Sequence, residues 1–67
     1  MIEGLKLGHS QRLLRLPEVR NRVGMSRSTI YRKVADGTFP HPRKLGPSIV
    51  AWLEEDIAYW ISNLSAN

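Results

Sequence analysis

The 67-residue sequence contains no cysteine, so neither a disulfide framework nor a thiolate zinc site reinforces it. No apolar run approaches the ~20 residues that a membrane span requires. Residues 1–10 (MIEGLKLGHS) carry Glu3 and no long apolar stretch, which argues against a signal peptide. A cytoplasmic protein without membrane attachment is therefore expected. Glycine-rich phosphate loops and nucleophile motifs are also missing, and no enzymatic activity is expected. His9 and His41 stand alone, without cysteine or acidic partners at ligand spacing, so neither metal nor cofactor is expected. Aromatic residues make up only 7% of the chain. One domain of this size buries only roughly 60% of its unfolded surface, so Trp52 and Trp60 are expected in its small core.

What the sequence has is positive charge, unevenly spread. The net charge is +4 and the isoelectric point is near 10.1. Between Arg12 and Lys44 nine basic residues face only Glu18 and Asp36, a local net of +7. After Trp52 the only charges are Glu54, Glu55 and Asp56. A basic block beside an acidic one suits a polyanion-binding surface backed by a supporting element. A solvated face in a basic protein would look the same by charge alone, so the organisation of the chain has to decide.

Residues 1–11 are expected to be a loose N-terminus and 12–67 a single domain. Leu13, Leu14 and Leu16 form a short apolar run with extended character. Pro17 and Glu18 then read as the first turn of a helix: proline loses no useful N–H there, and the carboxylate complements the helix dipole. Helix 1 should run from Pro17 to Val23, burying Val19 and Val23, with Gly24 as its stop. Ser26 is a strong N-cap for helix 2, from Arg27 to Asp36, which buries Ile30 and Val34 and stops at Gly37. Two short helices joined by Gly24-Met25 have the layout of a helix-turn-helix.

Pro40 and Pro42 exclude further helix. Arg43-Lys44-Leu45 and Ile49-Val50-Ala51-Trp52 read as two strands around Gly46-Pro47-Ser48. A lone hairpin is not stable, so Phe39, Leu45, Val50 and Trp52 are expected to lean on the helices. From Leu53 to Leu64 helical spacing returns, with Leu53, Ile57, Trp60, Ile61 and Leu64 on one stripe. The expected fold is a small α+β winged helix-turn-helix: three helices, with a two-stranded β-hairpin wing between helices 2 and 3.

Helix 2 carries the chemistry. Its N-terminal residues would meet base edges in the major groove, where arginine bonds guanine bidentately. Arg27, Ser28, Thr29 and Arg32 suit that role. Tyr31 and Lys33 suit phosphates, although packing explains Tyr31 equally well. Ser26 both caps the helix and offers N–H groups to a phosphate. On the wing, Arg43, Lys44 and Ser48 are candidate contacts; charge on an exposed edge strand also discourages aggregation, and both roles are compatible.

The ordered segments Leu16-Pro17-Glu18-Val19, Gly24-Met25-Ser26-Arg27-Ser28-Thr29-Ile30-Tyr31, Gly37-Thr38-Phe39-Pro40, Lys44-Leu45-Gly46, Val50-Ala51-Trp52 and Ile57-Ala58-Tyr59-Trp60-Ile61 resemble the AlpA family of prophage-encoded regulators. The likeness spans residues 12–62. It implies a double-stranded-DNA-binding transcriptional regulator, typically an activator of prophage or integrase genes, related to MerR-type winged helices and excisionases. It also implies recognition through the helix holding Arg27, Ser28, Thr29 and Arg32. One departure is Ser48, since family members often carry arginine in a Gly-x-Arg pattern at the wing. Two other functions remain open at this level: an excisionase-like DNA-bending factor, and an antirepressor that binds protein through Tyr59 and Leu64. No small-molecule effector is expected, whereas self-association on DNA would suit an operator with two half-sites.

Overall fold

The computed structural model describes residues 12–64; the loose N-terminus expected over residues 1–11 lies outside the described residues. Six elements follow in order: β1 (Leu13–Leu14), α1 (Leu16–Val23), α2 (Arg27–Ala35), β2 (Arg43–Gly46), β3 (Ile49–Leu53) and α3 (Glu54–Ser62). This is the small α+β winged helix-turn-helix, with one addition. The hairpin β2–β3 gains a third strand, because β1 pairs antiparallel with the other side of β3, giving the order β1-β3-β2. The apolar run at Leu13 and Leu14 therefore completes the sheet and does not merely lead into α1.

Local signals end the helices where the residue types require. α1 begins at Leu16, with Pro17 in its first turn, and stops at Gly24. There φ is 70°, and the Gly24 N–H donates to the Arg20 carbonyl at 2.8 Å. A side chain in this left-handed conformation would cost about 1–2 kcal/mol, which is why glycine closes the turn. Ser26 caps α2, its hydroxyl accepting from the Thr29 N–H. At the other end Gly37 takes φ 83°. Its N–H reaches the Val34 carbonyl and the Thr38 N–H reaches that of Lys33, satisfying two orphan acceptors.

The core draws one side chain from nearly every part of the chain. Leu14, Val19, Ile30, Phe39, Trp52 and Ile57 form a single buried cluster. Trp52 is the largest of them and fully buried. At roughly 150–250 Å² of aromatic surface and about 25 cal/mol per Å², its burial is worth about 4–6 kcal/mol. The indole N–H donates to the Pro40 carbonyl at 2.8 Å, and that of Trp60 to the Thr38 carbonyl at 2.8 Å. Phe39, between these two carbonyls, packs edge-on against both tryptophan rings. Two tryptophans thus fasten the loop between α2 and the wing. The loop lies outside the strands of the wing, and its Thr38 and Pro40 carbonyls accept from these indoles.

Two packing expectations need correction. Leu45 does not lean on the helices; it is 50% exposed. The pairing slips between Lys44 and Gly46, so Leu45 is the extra residue of a β-bulge and is re-aimed outward. The two-residue loop Pro47–Ser48 contains no positive φ. It therefore lacks the primed-turn twist that hairpins favour, and the adjacent bulge supplies the adjustment. The stripe on α3 is also narrower than its spacing suggests. The helix starts at Glu54 because Leu53 still belongs to β3, and only Ile57 is fully buried. Ile61 and Leu64 lie beyond the edge of so small a core and are largely exposed.

Candidate nucleic-acid interface

The candidate residues of α2 divide by what already occupies them. Ser26 and Thr29 are bound to each other: Thr29 donates its N–H to Ser26, and the Ser26 hydroxyl donates to that of Thr29 at 3.1 Å. Their first task is to start the helix. Ser28 and Arg32, one turn apart, are exposed. Lys33 is half-buried, and its carbonyl accepts from the Thr38 N–H and hydroxyl. Tyr31 is half-buried and packs edge-on against Trp52, with ring centroids 6.0 Å apart. The Arg27 guanidinium lies over the Tyr31 ring, 5.6 Å from its centroid. An arginine on a tyrosine that is itself seated on the core is held with little loss of further entropy.

The wing contributes from two places. At its turn, Ser48 shares a cleft with Arg27 and Tyr31, so residues distant in sequence meet here as one surface. Arg15, which the sequence pattern did not single out, lines the same cleft. Along the first arm, Arg43 and Lys44 are both exposed, but they differ. Arg43 stands 3.8 Å from Asp56 on α3, whereas Lys44 makes no ion pair among the described residues.

Acidic side chains sort the remaining cations. Glu18 and Glu54 gather Arg12 and Arg22 into one network, with Arg22–Glu54 at 2.8 Å and Arg12–Glu18 at 3.0 Å. Of its contacts, Glu18–Arg22 is an i,i+4 pair legible in the sequence. The Arg22–Glu54 bond joins the first helix to the last and carries no local signal. Among the described residues no acid lies in ion-pair contact with Arg15, Arg20, Arg27, Arg32, Lys33 or Lys44. The Asp36 carboxyl is held below its ordinary value of 3.8, chiefly by the Thr38 hydroxyl and also by the Thr38 N–H, Lys33 and Arg32. Asp36 thus caps a turn and does not serve as a proton donor near neutral pH. No three metal-ligating side chains gather among the described residues, and none of their helices is long and apolar enough to cross a membrane.

Residues 12–64 match the family described as Prophage CP4-57 regulatory protein (AlpA). The chain belongs to the AlpA family. Within curated proteins, it is 44% identical over 57 residues to the "DNA-binding transcriptional activator AlpA" of Escherichia coli strain K12, covering 76% of this chain and 81% of that protein. It is likewise 44% identical over 52 residues to the uncharacterized protein ORF88 of Enterobacteria phage P4, covering 78% of this chain. The match spans 59% of the phage protein's own length. No solved structure matches the chain. The AlpA-family match covers all six elements of the described fold: both helix-turn-helix elements, the three strands and the acidic helix α3.

Proposed function

We propose that this chain is a sequence-specific double-stranded-DNA-binding regulator of prophage-type genes, acting in the cytoplasm and without catalysis. Helix α2 enters the major groove, where Ser28 and Arg32 meet base edges, Thr29 reaches a base or phosphate, and Ser26 and Lys33 hold backbone phosphates. Lys44 on the wing, joined by Arg43 and Ser48, adds contacts beside the groove.

The observation that carries this reading is a set of cations on α2 and the wing with no acid in ion-pair contact among the described residues. Arg27, Arg32, Lys33 and Lys44 keep their charge unpaired while Arg12 and Arg22 are neutralised elsewhere. Unpaired cations crowded into one small domain weaken a monomer by mutual repulsion and become favourable when a polyanion approaches. The similarity to a DNA-binding activator in Escherichia coli supports the same reading. A domain of this size presents one short recognition helix, so two copies on adjacent half-sites would supply the affinity that one lacks.

The test is a titration of the protein into a duplex from upstream of its own gene or of a neighbouring integrase gene, beside a scrambled duplex, across several salt concentrations. Four or five phosphate contacts give a log–log salt slope of about −4. Preference for the native duplex with that slope is the expected result. Absence of binding to both duplexes at low salt would overturn it.

A further inference from the structure

We propose that Arg15, Arg27 and the Ser48 hydroxyl form a single seat for one backbone phosphate of the duplex, where α1, α2 and the wing meet. The proposal rests on the DNA-binding reading above and assigns a ligand group to one cleft within it. That cleft has a volume of about 170 Å³, with Leu16, Tyr31 and Val50 supplying apolar wall. Two arginines from different elements line it, and neither has an acidic partner among the described residues. Arg12, Arg22 and Arg43 lie within ion-pair distance of carboxylates, whereas Arg15 and Arg27, like Arg20 and Arg32, do not. Two like charges lining one partly apolar cleft repel each other, and an anion seated there would relieve that repulsion. A phosphodiester fits, because its two non-bridging oxygens match the planar donor forks of two arginines.

The geometry separates Arg27 from the base-reading role that its place in α2 suggests. Its guanidinium lies against Tyr31, on the next turn of its own helix. The side chain is therefore laid along the helix surface and not extended toward a base edge. Tyr31, fixed by Trp52, is the platform that holds it. In this arrangement Arg15 and Arg27 set the docking register, and discrimination falls to Ser28 and Arg32.

The experiment compares wild type, Arg15→Gln and Arg27→Gln on native and scrambled duplexes across salt, with thermal melting as a check on folding. Arg15 caps α1 through its backbone alone, so its substitution leaves the helix start intact. Each variant is expected to bind both duplexes more weakly by the same factor, and the double variant Arg15→Gln with Arg27→Gln to lower the magnitude of the salt slope by about 0.9 in total, the share of one phosphate. A neutral methylphosphonate walked along the duplex should identify one phosphate whose neutralisation weakens wild type but does not weaken the double variant further. Wild-type binding with unchanged Arg15→Gln affinity, or with an unchanged slope in the double variant, would overturn the seat and leave the DNA-binding reading intact. So would an Arg27→Gln defect confined to the native duplex, which would make Arg27 a base reader. Failure of wild type to bind any duplex would overturn both.

Discussion

Arg22 and Arg32 are the same side chain on consecutive helices, and the fold treats them in opposite ways. Around Arg22, the seam of β1, α1 and α3 collects Arg12, Glu18 and Glu54 into a network that ties the first helix to the third. Around Arg32, the outer surface of α2 holds positive charge with no acid in ion-pair contact among the described residues. The difference teaches how a net charge of +4 is put to use. The acidic residues are not spread evenly to minimise repulsion. Glu18 and Glu54 lie in the rear seam, Asp56 stands beside Arg43 and Asp36 is held by Thr38, which leaves the cations of α2 without an ion-pair partner among the described residues. A rear network stabilises the folded protein, while a basic front makes it attractive to a polyanion.

The most severe way to break this comparison is to remove the core on which both regions rest. Trp52→Ala should cost about 3–5 kcal/mol, a large part of the stability of any small domain. Urea unfolding followed by far-UV circular dichroism measures it. The loss should abolish DNA binding and the rear network together, because Trp52 supports Tyr31 on one side and pairs with β1 on the other. A folded variant that still binds DNA would show that the two regions do not share this support.

Next comes the front itself. Arg32→Ala should cost about 1–3 kcal/mol of binding to the preferred duplex and relax sequence preference, with stability changed by less than about 0.5 kcal/mol. Fluorescence anisotropy on native and scrambled duplexes checks the first part, and thermal melting the second. Equal weakening on both duplexes would make Arg32 a phosphate contact and move discrimination elsewhere on α2.

At the rear the same substitution should do the reverse. Arg22→Ala should lower stability by about 1 kcal/mol or less, since the pair is only partly shielded from water. Its effect on DNA affinity should be within error. A marked loss of affinity without destabilisation would erase the distinction between the two regions.

The smallest effect concerns Asp36, at the boundary between α2 and the wing loop. Its carboxyl is lowered in the folded state, so the unfolded chain binds the proton first as pH falls. The Asp36–Thr38 contribution is therefore fully present above the ordinary value of 3.8 and is lost as pH falls below it. Comparing acid unfolding of wild type and Thr38→Val tests this, because the variant should lack that part of the pH dependence. Indistinguishable acid profiles would remove Asp36 from the account.

Much of the candidate site was legible because its determinants are local. Ser26 announced the start of α2, Gly24 and Gly37 marked its surroundings, and the exposed Arg32 followed from helical spacing against Ile30 and Val34. Arg15 was not legible. Nothing in its neighbourhood says that a residue preceding α1 will share a cleft with Ser48 of the wing. Leu45 misled for a related reason: alternation along a strand predicts its face, but a bulge shifts the register by one.

By itself, then, the sequence determined the punctuation of this protein. Proline, glycine and serine act through φ, missing donors and capping within a few residues, so the order of helix, turn, helix, hairpin and helix could be read directly. Tertiary structure alone decided that Leu13 and Leu14 become a third strand. It also decided that Glu54 binds Arg22 across 32 positions of sequence, and that Arg15, Arg27 and Ser48 meet. Those outcomes depend on which surfaces the core brings together, and long-range approach leaves no periodic trace in the chain.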